Sequence, residues 1–248
     1  MGRVAGAPST IFVDEFDFSG RTNNAVLNID NNLPEVSAFS DAGAEFVEGI
    51  YNNSSVINGF FDPTDDGYDE QMFGIIGDGA KHFVGIYPGN SAAATNIGYE
   101  LQGQSGEQER PVEIAGAVLL NVTWQGEGPL VRSTVLANGA VTTTGAVTSS
   151  NQNIGATAAG EKFVAIIRVL AVSGAGSITI VVEESTDNGA GDAYAAISGI
   201  TETFTAVGVS RETTTSATEA WKRVNVTAFS GFSSVTIMVA VGKEAGVS

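Results

Sequence analysis

The sequence predicts an all-β chain with one short helix, and three observations lead there. Glycine is frequent, 31 of 248 residues, with many Thr and Val and few of the Leu, Lys and Arg that build helices. Apolar residues tend to alternate with polar ones, most cleanly at Val235, Ile237, Val239 and Val241. Gly, Asn and Asp clusters punctuate these runs at turn-like intervals.

In chain order, strands are predicted at 10–16, 25–30, 35–40, 46–51 and 55–61. Others follow at 81–87, 96–103, 111–125 and 130–137. Asn138-Gly139 sits between two β-forming runs and predicts a tight hairpin, since both residues tolerate positive φ. One helix is predicted over 67–76, capped by Asp65 or Asp66, with Asp69 and Glu70 in its first turn and Gly77 and Gly79 at its end. Met72, Phe73 and Ile76 would form its buried stripe. A turn around 42–47 is read as loop. Residues 145–160 are small and polar and read as a linker. Strands follow at 163–172, 177–184, 194–207, 211–214, 221–229 and 235–243, with Gly174-Ala175-Gly176 and Gly126-Glu127-Gly128 as turns. Two domains are therefore expected, 1–155 and 156–248, the second a β-sandwich or the continuation of the first barrel.

Composition bounds the chemistry. With 43% apolar residues the chain can build a sizeable core. It has no cysteine, so disulfides, thiolate nucleophiles and Cys-type zinc sites are excluded. The N-terminal residues hold no apolar run of signal-peptide length, and no window approaches the roughly 18 apolar residues of a membrane span. A soluble protein not exported by the common route is expected. The net charge is −17, unevenly spread: residues 1–80 carry 14 acidic and 2 basic side chains, residues 81–248 carry 14 and 9. Such a surface repels phosphate and argues against tight nucleic-acid binding.

Catalytic material is sparse. The single histidine, His82, lies in a strand-like run and is expected to be a surface residue. No nucleophile elbow, zinc-helix pair or phosphate loop occurs. A spatial pair of carboxylates is invisible in sequence, and nothing selects one. Asp62, Thr64, Asp66 and Gly67 imitate the first half of a calcium loop, but Phe73 stands where the bidentate acid belongs. The segment from Asp187 to Asp192 reads as a solvated hairpin loop. Trp124 and Trp221 could anchor an interface, though core or strand-end packing is the commoner fate.

The order of elements carries a resemblance. A short SGRTNNAVLNID element precedes residues 33–61, LPEVSAFSDAGAEFVEGIYNNSSVINGFF, and an acid-rich helix start follows. Ala38-Phe39-Ser40-Asp41, Gly49 and Phe60-Phe61-Asp62 occupy the places of a recurring phrase in the major tail tube proteins of long-tailed, siphovirus-like bacteriophages. Ser40 departs from the glycine usual there. Residues 111–125 resemble that family's closing strands, and 163–189 resemble the β-sandwich of many virion proteins.

The resemblance implies a tail-tube β-sandwich or barrel in 1–155. It implies homo-hexameric stacked rings forming the conduit for DNA delivery, in contact with other tail proteins, with DNA passing the lumen without specific binding. Residues 33–61 would bridge rings, with Glu35, Phe39, Asp41, Glu45, Phe46 and Glu48 as candidate assembly-loop or lumen residues. It implies a structural virion protein of the tail, assembled in the host cytoplasm. No enzymatic activity, cofactor, metal or membrane partner is expected. The alternative is another virion or surface β-protein, such as a capsid decoration protein or a carbohydrate-binding module.

Overall fold

The structure, a computed structural model, describes residues 9–30, 35, 51–62, 64, 67–89, 93–111, 118–147 and 150–244. The described chain is all-β with one short helix. It gathers into two compact units built from separated stretches: residues 1–19, 85–100 and 131–248 form one, residues 20–84 and 101–130 the other. The expected division at 155/156 falls inside the first unit. The strands expected at 35–40 and 46–51 and the turn at 42–47 lie outside the described residues, save Glu35 and Tyr51.

Two long strands organise the first unit. Eleventh and fourteenth in chain order, they are β11, Phe163–Ser185, and β14, Trp221–Glu244. They pair antiparallel from Phe163 opposite Lys243 to Ser185 opposite Trp221. The sequence reading divides each into two strands; the structure joins them through a bend. Gly174-Ala175-Gly176, expected to be a turn, lies within β11 among register shifts. Only glycine fits the bend: a Cβ at Gly176 would collide with the Ser230 carbonyl, and Gly231 has φ of 76°.

The bulges also switch side-chain parity. Before the bend, odd-numbered Phe163, Ala165, Ile167 and Val169 enter the core; beyond it, even-numbered Ile178, Ile180 and Val182 do. β14 switches in the same way, from Val224 and Val226 to Val235, Ile237, Val239 and Val241. Both halves of each strand therefore feed one shared sandwich core, which an unbroken period of two could not achieve. Full burial of each such Val, Ile or Phe side chain is worth about 1.5–3 kcal/mol.

Shorter strands complete the layers. β12, Ala195–Phe204, and β13, Gly208–Thr214, pair with opposite ends of β11. β8, Val131–Val141, pairs with the C-terminal part of β14. Asn138-Gly139 is not a hairpin. It runs inside β8, opposite Met238 and Ile237, because a long ladder to β14 outweighs a two-residue turn preference. Nor are residues 145–160 a linker. β9, Gly145–Ala146, and β10, Gln152–Asn153, pair with β14, Thr157 bridges Thr218, and Ser150, Gln152 and Thr157 are buried. Small polar residues suit this segment because backbone ladders satisfy it rather than solvent.

Beyond β8 the sheet order continues through β6, Ile97–Glu109, β5, His82–Tyr87, β1, Thr10–Val13, and β2, Phe16–Asp17. A second core gathers Phe12, Tyr87, Val135, Met238 and Ala240. Arg168 is fully buried with them. Its guanidinium donates to both Glu100 carboxylate oxygens at 2.8 Å and to the Asp14 carbonyl at 2.7 Å, and lies 5.4 Å from the Phe12 ring centroid. The Tyr87 hydroxyl also donates to Glu100. Burial alone would favour a neutral Arg168, but the Glu100 carboxylate holds it charged. Burial, aided by that carboxylate, pushes the Tyr87 phenol well above its usual range.

The second unit is one sheet and one helix. Its strand order is β3, Thr22–Asn28, then β4, Ser54–Phe60, then β7, Leu119–Gly126, then the distal part of β6. Helix α1 spans Tyr68–Ile75. It follows Gly67, which makes no side-chain cap; Asp65 and Asp66 lie outside the described residues. Asp69 and Glu70 occupy its first turn, where the helix dipole favours them. Tyr68 and Met72 are buried, and the Tyr68 hydroxyl donates to the Ile57 carbonyl at 3.2 Å. The expected stripe of Met72, Phe73 and Ile76 is corrected: Phe73 is 67% and Ile76 47% exposed. The helix is too short to turn both faces inward, and Tyr68, one turn before Met72, takes the inner place. Phe73 instead lies 5.7 Å from the Arg110 guanidinium, which pairs with Asp69 at 2.6 Å.

Candidate assembly face

The sheet of the second unit has two unlike faces, and its register defines them. Ile57, Leu120, Val122 and Trp124 point inward and are buried. The alternate residues point away from that core. One cross-strand row runs Val26, Val56, Thr123, Glu107, and the next runs Asn24, Asn58, Asn121, Glu109. All are at least partly exposed. Gln108, between the two glutamates, turns the other way and donates to the Met72 carbonyl. Extended geometry makes this alternation obligatory.

This outer face has a simple electrostatic character. β3, β4, β6 and β7 contain no Lys, Arg or His. The face presents Asn, Thr, Val and two carboxylates. Chemically it can pass a polyanion without gripping it, since no cation is there to displace counterions from phosphate. The amides of Asn24, Asn58 and Asn121 form an aligned polar strip, a pattern sequence reading missed. Its signal was present: TNNAVLN, SSVINGF and LLNVTWQG each place a central Asn out of phase with their inward residues.

The residues expected to act in assembly are only partly placed. Glu35 is exposed and forms an isolated bridge. Phe39, Asp41, Glu45, Phe46 and Glu48 lie outside the described residues. The segment that carries them connects β3 to β4, whose pairing extends to a 2.9 Å bond from the Asn52 amide to the Asp30 carbonyl.

The remaining polar features have structural explanations. His82, expected at the surface, is buried, with Nε2 3.2 Å from Asp78 and its ring edge-on to Trp124 at 5.9 Å. Aromatic packing therefore draws it inward. Trp124 is a core residue. Asp62, the first residue of the calcium-like stretch, accepts from the Thr64 amide and hydroxyl and pairs with Arg21 at 2.9 Å. Those Thr64 bonds, more than Arg21, hold its carboxyl below the usual range. The 187–192 loop is a solvated connection in which Asp187 accepts from the amides of Ala190, Gly191 and Asp192. Among the described residues, no group of three or more His, Asp or Glu side chains is arranged to hold a metal ion.

No family model matches the chain, and no curated protein does. Solved structures to which it is similar are components of phage-tail and tube assemblies. A protein in the tail of an empty gene transfer agent particle, refined with C6 symmetry, is 13% identical over 48% of this chain and 92% of its own, with a TM-score of 0.39. The tube-terminating cap of the anti-feeding prophage is 11% identical over 54% and 93%, with a TM-score of 0.44. The Dit hub protein of phage SPP1, which infects Gram-positive bacteria, is 8% identical over 95% and 98%, with a TM-score of 0.40.

Proposed function

We propose that this chain is a structural protein of a virion tail, whose copies associate into stacked rings that form a tube for DNA. The order of elements across residues 19–76, which resembles the tail tube family, supports this reading. The observation that carries it is the outer face of the second unit's sheet, half-exposed and without a single cationic side chain in its four strands. Lining a bore with that face would let DNA slide, because carboxylates and amides offer phosphate no counterion-releasing contact. The edge of β3 has no partner among the described residues, and pairing with a neighbouring copy would remove it. Localisation in the virion tail, a hexameric ring and the absence of catalysis belong to the same reading.

Electron microscopy of the purified protein, alone and with its tail partners, tests it. Rings or tubes with a central bore are expected. A monomer at every concentration, or a protein that instead decorates capsids or binds glycans, would replace this reading with the decoration or carbohydrate-binding alternative.

A further inference from the structure

The sandwich of the first unit has a basic end. There a cavity of about 390 Å³ is lined by the apolar Ile154, Phe163 and Val241 and by the cationic Arg132 and Lys243. These two cations stand directly opposite one another on β8 and β14, so they share a face of the sheet. Both are exposed. Like charges placed directly across a ladder repel. Lys243 is answered at 2.9 Å by Glu161. Arg132 has no acidic partner among the described residues. The one acid lining the cavity, Glu244, is buried and already held by Lys162 at 2.9 Å and by Arg211.

A cationic rim around an apolar floor is out of keeping with a chain of net charge −17. It fits an acidic segment that brings an apolar side chain with it. The most concentrated acidity available is in this chain itself, whose first 80 residues carry 14 acids against 2 bases. We propose that the Arg132–Lys243 end of the sandwich is a docking surface for the acidic N-terminal region of a second copy of this chain. The proposal rests on the self-assembling reading above and names one surface through which assembly proceeds. Complementary charge would both steer the encounter and fix its orientation.

The test compares self-association of the full chain by sedimentation velocity across salt concentrations. R132Q/K243Q and K81E change the net charge by the same two units, but Lys81 lies in the second unit, paired with Glu127. R132Q/K243Q should weaken association about tenfold at low salt, a change of ~1.4 kcal/mol. K81E should change it by less than about twofold, and R132K/K243R, which keeps both charges, should associate as wild type does. If K81E weakens association as much as R132Q/K243Q, net repulsion explains the effect and the docking surface is wrong. An unchanged R132Q/K243Q overturns it equally. If R132K/K243R fails along with R132Q/K243Q, the site acts by packing rather than charge, and the proposal falls. A wild type that never associates would remove the assembly reading itself, a different outcome from any of these.

Discussion

The two units solve the problem of a β-sheet surface in opposite ways. The first buries both faces of β11 and β14 around Ile167 and Arg168, which point to opposite sides of one strand and are both fully enclosed. The second buries one face, beneath Tyr68 and Met72, and leaves the other to Asn24, Asn58, Asn121 and Thr123. A strand enclosed on both faces gains stability but has nothing left to present. A sheet half-open to its surroundings is marginal alone and available to a partner. On the proposed reading, the first unit supplies stability and the second supplies the open face that lines the tube.

The largest effect expected from this contrast comes from removing whole segments. All but Leu136 and Ala137 of the buried sandwich-core residues lie between 163 and 241. We therefore propose that residues 156–248 fold without the rest, less stably because β8 and β9 no longer cover the edge of β14. A cooperative thermal transition of that fragment is expected; a non-cooperative melt would show that β8 is integral to the core. The fragment 20–130, whose sheet leaves one face open, should not melt cooperatively.

Next in size is the buried ion pair. Glu100→Gln leaves the Arg168 charge enclosed and unanswered, which should cost about 3–5 kcal/mol in urea unfolding. Replacing both as E100L/R168M should recover most of that loss, because enclosed ion pairs contribute little beyond an apolar pair of similar volume. A small cost for Glu100→Gln would mean that water reaches the site, and the contrast between enclosed and open strands would weaken.

Within the second unit the two faces can be compared directly. Ile57→Ala should cost about 2–5 kcal/mol by opening a cavity beneath the helix. Val26→Ala, on the outer face of the adjacent strand, should stay within about 0.5 kcal/mol. Equal losses would show that the outer face is covered within the isolated chain.

The smallest effect is a local response to acid. The amide of Asp192, then those of Gly191 and Ala190, hold the Asp187 carboxyl below its ordinary value of 3.8. A lowered value favours the folded loop wherever the carboxylate is ionised. That contribution is complete above pH 3.8 and disappears as pH falls below it through the lowered value. Amide exchange at Ala190–Asp192 should accelerate in that acid range while the core amides of β11 stay protected. Loss of both together would show that the loop does not open independently.

How much of this was legible in the sequence depended on the range of the interaction. The alternation of Val235, Ile237, Val239 and Val241 identified an inward face because neighbours in one strand carry that signal themselves. The parity switch at Gly174 and Gly231 was not legible as such, since glycines in a run read equally as a turn or as a bulge, and only pairing with a distant strand decides. Asn138-Gly139 and residues 145–160 misled for the same reason: local composition favoured a turn and a linker, and β14 recruited both. Spacing alone places Phe73 and Ile76 in the helix core, whereas a helix of two turns buries only Tyr68 and Met72. The buried pair of Glu100 and Arg168, 68 residues apart, left no trace in sequence spacing.

On the proposed reading, the cation-free outer face of the second unit lines a bore. A cryo-electron microscopy map of the assembled protein decides this. Asn58, Asn121, Glu107 and Glu109 should face the axis, with helix α1 on the far side of its sheet. A tube in which α1 faces the axis, with the Asn strip at the outside, would contradict it.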